Sequence, residues 1–146
     1  MKLIAHRGNV FGPQPERENT PEYIEAAMSE GFDVEIDVRC ENGKMLLGHD
    51  NGETHVTLDW IQKHQDKLWI HCKNLEALRF FSPLNGVNFF WHQEDDFTLT
   101  SKKIIWTYPK KDVTDRSVIV CFTLEECVEC AKTDVYGMCS DYVGEI

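Results

Sequence analysis

The stretch "DVEIDVRC" (33–40) alternates apolar and charged side chains almost without a break. Side chains on a β-strand point to opposite faces in turn, so this alternation predicts a strand with one apolar and one charged face. The apolar face carries Val34, Ile36 and Val38, and the charged face carries Glu35, Asp37 and Arg39. We expect the apolar face to lie under helices and the charged face to line the interior or rim of a barrel. The alternative is an edge strand whose charged face is wet.

Short β-like runs alternate with short helical ones along the rest of the chain, which favours an α/β fold with a parallel sheet. Further strands are predicted at 2–6, 45–50, 68–74, 86–93, 103–109, 117–122 and 135–143. Helices are predicted at 20–31, 57–67, 74–81 and 123–133.

The length of 146 residues fits a single domain spanning 1–146. A full (β/α)8 barrel typically needs about 200–250 residues. We therefore predict a compact, reduced TIM-type (β/α) barrel with some outer helices shortened or missing, most clearly between residues 92 and 118. A doubly wound open sheet is the alternative, although the chain has no Gly-rich phosphate loop of the GxGxxG or GxxxxGK type.

The turn sequence "ENGK" (41–44) predicts a tight hairpin after the alternating strand. Residues 45–49 should then run back antiparallel to residues 35–39, because a parallel neighbour needs a crossover of a dozen residues or more. His49 would lie on this excursion and not on the next barrel strand.

Composition excludes several classes of partner and site. The net charge of −10 disfavours a nucleic-acid partner. No apolar run approaches the roughly 20 residues of a membrane span, and no leader is recognisable, so we expect a cytoplasmic protein. Most of the six cysteines lie in or beside apolar runs, as buried reduced thiols do. The Cys127/Cys130 pair is interpreted as helix packing in preference to a metal or redox site.

The paired carboxylates of Glu35 and Asp37 are the first chemical signal. Burying unpaired carboxylates is very costly, and a cation between them removes that cost. Two carboxylates on one strand face suit a hard divalent ion such as Mg²⁺ or Ca²⁺.

Ionisable residues also follow several other predicted strands. The strand ends of a parallel barrel share one rim, where active sites lie. A metal with Arg or Lys could hold a phosphoryl group there while histidines move protons. The residues concerned are His6, Arg7, His49, His71, Lys73, His92 and Asp141, of which His92 and Asp141 have no assigned role.

Four short motifs together resemble a known group of enzymes. "HRG" (6–8), "ENT" (18–20), "EIDV" (35–38) and "GHD" (48–50) are similar, in order and spacing, to the glycerophosphodiester phosphodiesterase family. They also resemble the wider phosphatidylinositol-phospholipase-C-like phosphodiesterase superfamily. The similarity is close over the first third of the chain and weaker at "WIHCK" and "CSDYVG".

This resemblance implies a (β/α)8 barrel that hydrolyses phosphodiesters with one divalent metal ion, Mg²⁺ or Ca²⁺. It implies the following site. Glu35 and Asp37 bind the metal, His6 and His49 are the acid–base pair, Arg7 and Lys73 bind phosphate, and Glu18 and Asn19, with Thr20, support the loop and start the first helix.

Two departures from the family pattern modify these expectations. His71 stands where the family has a carboxylate, so as a third ligand it would favour Mn²⁺ or another transition ion. The chain is also shorter than usual members, which would leave the site open to a small or polymeric phosphodiester. The alternatives to an enzyme are a non-catalytic phospho-ligand or metal-binding module and a purely structural barrel.

Overall fold

The computed structural model describes residues 1–50, 52 and 54–146, and within them the chain forms ten β-strands and four α-helices. The strands are β1 (Lys2–His6), β2 (Asp33–Glu41), β3 (Lys44–Leu47), β4 (Thr54–Val56), β5 (Leu68–Cys72), β6 (Phe89–Phe90), β7 (Phe97–Leu99), β8 (Ile105–Thr107), β9 (Ser117–Cys121) and β10 (Gly137–Ser140). The helices are α1 (Pro21–Ser29), α2 (Leu58–His64), α3 (Leu75–Phe81) and α4 (Leu124–Cys130), and a 3₁₀ turn spans Val143–Glu145.

A parallel barrel forms the centre of the molecule. Strand β1 lies between β2 and β10 and is parallel to both, so the first and last strands of the chain are neighbours. The parallel pairs β2–β5, β5–β6, β10–β9 and β9–β8 continue the order on each side. Strand order thus follows chain order around a circle, which is the arrangement of a barrel and not of a doubly wound sheet.

The gap between β6 and β8 is bridged by a loop. Ser101 donates its backbone N–H to the carbonyl of Phe89 (2.9 Å), and its hydroxyl accepts from the Phe89 N–H (2.9 Å). Inside, the rings of Phe90 and Trp106 lie 4.6 Å apart across the same gap. Residues 82–123 contain no helix, which confirms the prediction of a reduced barrel that lacks outer helices.

The predicted antiparallel hairpin after β2 is confirmed, but β3 pairs with residues 38–41 and not with the predicted 35–39. Strand β3 is antiparallel to the end of β2, with Glu41 opposite Lys44 and Val38 opposite Leu47. Asn42 (φ 52°) and Gly43 (φ 77°) adopt the left-handed conformations that such tight hairpins require. The other edge of β2 at Val38 pairs with β5. Strand β3 therefore lies on the same edge of β2 as β1, at positions beyond the end of β1 and beyond the rim of the barrel. Two three-residue strands, β4 and β7, were not predicted.

Side-chain caps start three of the helices. Thr57, Asn74 and Thr123 each accept a hydrogen bond from the backbone of the first turn that follows. Thr20 occupies the equivalent position before α1, but its hydroxyl donates to the carbonyl of Arg17 instead (2.7 Å). Thr20 therefore stands at the start of α1 without capping it through its side chain.

The core has two layers. The outer layer lies between the sheet and the helices and contains the apolar face of β2, as predicted. The inner layer fills the barrel, where Trp69 and Trp106 pack with ring centroids 5.9 Å apart. Among the described residues, no helix is long and apolar enough to cross a membrane.

Candidate functional site

The candidate site is the layer of side chains directly beyond the apolar interior of the barrel. Because strand side chains alternate, each inward-facing core residue is followed two positions later by another residue that faces the interior. Ile4, Trp69, Phe90, Trp106 and Cys139 form part of the inner core. The residues two positions beyond them are His6, His71, His92, Tyr108 and Asp141.

Glu35 and Asp37 are both buried in this layer, with 2% and 1% of their surface exposed. Glu35 Oε2 and Asp37 Oδ1 are buried without a hydrogen-bond partner among the described residues. Strand β2 pairs with β1 and β5 on its two edges, so the alternative of a wet edge strand is excluded. Two buried carboxylates with unpaired oxygens strongly favour a cation at this place.

His71 directs a nitrogen at the same two carboxylates. Its Nε2 donates to the carbonyl of His92 (3.0 Å), which leaves Nδ1 unprotonated in the neutral ring. Nδ1 lies 3.5 Å from Asp37 Oδ1 and 3.7 Å from Glu35 Oε1. One donor atom from each of the three residues lies within 4.8 Å of the other two, as the ligands of one metal ion would.

Asp37 is the carboxylate of this cluster that a further positive charge would stabilise most. Burial and the neighbouring Glu35 carboxylate raise the pKa of Asp37, against the opposing effect of Arg7. A divalent ion would oppose the effects of burial and of the Glu35 charge on the pKa of Asp37. The set of two carboxylates and one imidazole suits such an ion. The residues present therefore fit a metal.

Asp37 is also fixed from its outer side. Arg7 and Asn19 both have φ of 56°, in the left-handed region that residues other than glycine seldom adopt. Arg7 Nε lies 2.9 Å from Asp37 Oδ2, and Asn19 exchanges two 3.0 Å hydrogen bonds with the side chain and backbone of Asp37. Glu18 accepts from Arg7 Nη1 (3.4 Å). Arg7 thus contacts two carboxylates within the site.

His6 is oriented by Asp141, to which the sequence had assigned no role. Nδ1 of His6 donates to Asp141 Oδ1 (2.8 Å), and Asn9 donates to the same oxygen (2.8 Å). The other ring nitrogen, Nε2, lies 3.8 Å from Glu35 Oε2. Burial opposes protonation of His6, but the Asp141 hydrogen bond and the Glu35 charge outweigh it and raise the pKa of His6.

His49 lies on the loop after β3, as predicted, at the mouth of the site. Its side chain is 43% exposed, and Nδ1 donates to Asp50 Oδ1 (2.7 Å). Arg39 Nη2 donates to the carbonyl of Asp50 (3.3 Å), and Gly48 N donates to that of Asp37 (3.1 Å). These contacts hold the loop over the end of β2.

One cavity of about 310 Å³ brings most of the predicted residues together. Its lining includes His6, Arg7, Glu35, Asp37, His49, His71 and Lys73. Glu18 and Asn19 line an adjoining cavity that shares Arg7 and His49 with it.

An aromatic wall on one side of this cavity was missed by the sequence analysis. Tyr108 stacks on His92 (5.6 Å between ring centroids) and meets Phe122 edge to face (5.6 Å). Tyr108 and Phe122 are 40% and 54% exposed. The alternation beyond Trp106 and Val120 could have located both residues on the inner face.

Comparison with known proteins gives a match in fold. No protein-family model matches the chain, and no curated protein matches its sequence. Among solved structures, glycerophosphodiester phosphodiesterase from Agrobacterium tumefaciens aligns over 99% of this chain and 98% of its own, with a TM-score of 0.62 and 16% identity. The enzyme of the same name from Thermotoga maritima aligns over 98% and 95%, with a TM-score of 0.61 and 18% identity.

The chain has the glycerophosphodiester phosphodiesterase fold. The resemblance noted in four short motifs is thereby confirmed at the level of the fold. The candidate site lies at the carboxyl ends of the barrel strands, which is where barrels of this type carry their active sites.

Proposed function

We propose that the protein is a metal-dependent phosphodiester hydrolase. The observation that carries the proposal is the convergence of Glu35, Asp37 and His71 in one cavity with His6 and His49. A purely structural barrel would have no use for buried carboxylates with unpaired oxygens, and metal or ligand binding alone needs no pair of histidines.

Glu35, Asp37 and His71 would hold the ion, which when bound supplies positive charge to the phosphoryl oxygens. Arg7 and Lys73 would hold the phosphate group. Such local cations are needed because the chain carries a net charge of −10. The contacts of Arg7 with Asp37 and Glu18 keep its guanidinium beside the carboxylates.

The two histidines would move protons. Asp141 accepts from Nδ1 of His6 and so presents Nε2 to the cavity, and Asp50 does the same for His49. One imidazole takes a proton from the attacking hydroxyl, and the other protonates the oxygen that leaves. The nucleophile is either water or a neighbouring substrate hydroxyl, and the second would give a cyclic phosphate.

The cavity supports a small or polymeric phosphodiester as the substrate. Residues 92–118 contribute strands and loops to the rim, with no helix over it. The exposed rings of Tyr108 and Phe122 leave one side of the cavity open to solvent.

Metal-dependent release of p-nitrophenol from bis(p-nitrophenyl) phosphate tests this function. The metal-free protein should be inactive, and Mg²⁺, Ca²⁺ or Mn²⁺ should restore turnover. His6→Ala and His49→Ala should each lower kcat by about 10²–10⁴-fold. The matched control is His55→Ala, because His55 is exposed on β4 and does not line the cavity. Metal binding without any hydrolysis would instead identify a binding module.

A further inference from the structure

Asn9 is a fully buried amide that lies between two carboxylates of the site, with 0% of its surface exposed. Its Nδ2 donates to Asp141 Oδ1 and to Glu18 Oε1, both at 2.8 Å. Asp141 Oδ1 also accepts from Nδ1 of His6 (2.8 Å). Glu18 Oε2 accepts from Nη1 of Arg7 (3.4 Å). One amide nitrogen, to which the sequence analysis assigned no role, therefore connects the supports of His6 and Arg7.

The orientation of the Asn9 amide follows from its other two partners. The backbone N–H of Gln14 and the hydroxyl of Tyr23 both donate to Asn9 Oδ1, each at 3.1 Å. A backbone N–H can only donate, so the end of the amide that faces Gln14 is the oxygen and the opposite end is the NH₂ group. The two hydrogens of that group supply one hydrogen bond to each carboxylate. All four hydrogen-bonding positions of the amide are thus occupied.

The loop after β1 holds Asn9 in this position. Its backbone N–H donates to the carbonyl of His6 (2.9 Å). Gly8 has φ of 92°, and a Cβ atom there would lie 2.8 Å from Cδ2 of Tyr23. The absence of a side chain at Gly8 therefore lets the Tyr23 ring on α1 pack against the loop and bring its hydroxyl to Asn9. Asn9 is fixed from both β1 and α1.

We propose that Asn9 is a positioning residue that holds His6 and Arg7 in a fixed arrangement through the two carboxylates. This inference rests on the proposed function, in which His6 moves a proton and Arg7 holds the phosphate group. Proton transfer requires the imidazole to lie within hydrogen-bond reach of the reacting oxygen, and it occurs only in the transition state. The link through Asp141 therefore acts on kcat. Arg7 would hold the phosphate in the bound substrate as well, so the link through Glu18 acts on KM.

The kinetic test replaces the amide by an apolar side chain of similar shape. With bis(p-nitrophenyl) phosphate, Asn9→Leu should lower kcat about 10- to 100-fold, because a small displacement of a catalytic group has effects of this size. It should raise KM about 2- to 10-fold, as the loss of one hydrogen bond would. In an Asp141→Ala background, Asn9→Leu should lower kcat no further but should still raise KM through Glu18. Parent-like kinetics in Asn9→Leu, or a full kcat loss in the Asp141→Ala background, would overturn the proposal.

The matched control is Asn88→Leu. Asn88 is also a buried amide, with 4% of its surface exposed, but it lines a cavity with Lys2 and Asp33 at the opposite end of the barrel. This variant should keep the kcat and KM of the parent, and a kcat loss equal to that of Asn9→Leu would overturn the proposal. Asn9→Ser, which removes the bridging amide and leaves a smaller side chain, should show the same kinetic split and decides the question if Asn9→Leu does not fold.

A second measurement does not depend on hydrolysis. NMR relaxation of the His6 Cε1–H and Arg7 Nε–H groups in substrate-free protein reports how firmly the two side chains are held. Their order parameters should both fall in Asn9→Leu and should remain parent-like in Asn88→Leu. Unchanged order parameters in Asn9→Leu would overturn the positioning role, whether or not the parent is active. A fall in both, in a protein whose parent hydrolyses no phosphodiester, would support the bridge and overturn only the proposed function.

Discussion

His71 brings one neutral nitrogen to a cluster otherwise made of carboxylate oxygens. Imidazole favours Mn²⁺ and other transition ions, whereas a carboxylate favours Mg²⁺ or Ca²⁺. We therefore expect His71→Glu to shift the metal preference from Mn²⁺ toward Mg²⁺ or Ca²⁺, as measured by calorimetry with each ion.

The control for this substitution is His55→Glu, which adds the same charge to the exposed position on β4. It should leave the order of metal affinities as it is in the parent. If His71→Glu also leaves that order unchanged, His71 is not a ligand and its nitrogen serves the substrate phosphate instead.

A second prediction at this scale concerns the pair of His6 and Asp141. Asp141 raises the pKa of His6 by its hydrogen bond and its charge, so Asp141→Asn should lower that pKa while the amide oxygen still accepts the bond. NMR titration of the imidazole C–H signals in metal-free protein measures the shift directly. The stability that the pair contributes is complete below the unfolded pKa of about 6.5 and disappears as pH rises through the folded value.

The corresponding control is Asp50→Asn, which removes the negative charge of the acceptor of His49 at the exposed mouth of the site. It should leave the titration of His6 unchanged. A His6 pKa that stays the same in Asp141→Asn would show that Glu35 alone raises it.

Prediction of single residues succeeded where a local pattern carried the information. Alternation along β2 located Glu35 and Asp37, because period-two burial follows from the strand alone. The role of Asp141 could not be predicted in this way. Its partner His6 is 135 positions away in the chain, and the contact exists because β10 pairs with β1.

At the scale of elements, Asn74 does more than cap a helix. Its Oδ1 accepts from Ala77 N (3.0 Å) and Cys40 N (3.2 Å), and its Nδ2 donates to the Cys40 carbonyl (2.8 Å). We expect Asn74→Ala to lower the free energy of unfolding by about 2–3 kcal/mol, because it removes a cap and unpairs two backbone groups of β2. Urea denaturation measures this change.

Thr57→Ala is the matched control, since the Thr57 side chain caps α2 through a bond from Trp60 N and makes no other hydrogen bond to the described residues. Its expected loss is about 1 kcal/mol. Equal losses in the two variants would mean that the bonds from Asn74 to Cys40 add nothing.

Strands and turns with a clear local sequence pattern were predicted. Strands that form only because a neighbouring strand or loop offers a pairing edge were not. "ENGK" fixed the β2–β3 hairpin through Asn42 and Gly43, whose left-handed conformations the sequence itself favours. Strands β4 and β7 have three residues each, too few for any periodicity, and exist because β3 and β8 offer free edges. Strand β6 is two residues long where eight were predicted, since its neighbour across the gap is the loop at Ser101.

For the whole molecule, the sequence predicted a barrel but left an open sheet as the alternative. Only the pairing of the first and last strands separates these two folds, and no local pattern reports it. The 82–123 segment shows how a short chain closes the barrel between its middle strands. Strands and loops take the place of outer helices there, and Trp106 fills the interior against Phe90 and Trp69.

Because the candidate metal ligands lie on both β2 and β5 inside the barrel, an ion bound by them should stabilise the entire fold. Binding to the folded state at 100 times Kd adds about 2.7 kcal/mol, which corresponds to roughly 5–10 °C in Tm for a chain of this size. Scanning calorimetry should show this rise for the parent on adding Mn²⁺ and its reversal by a chelator. Glu35→Gln/Asp37→Asn should show no rise.

Asp33→Asn is the matched control: Asp33 is buried on the same strand at the opposite end of the barrel and contacts Trp69. That variant should lose stability yet keep the metal-dependent rise, and an equal rise in the double variant would place the ion elsewhere.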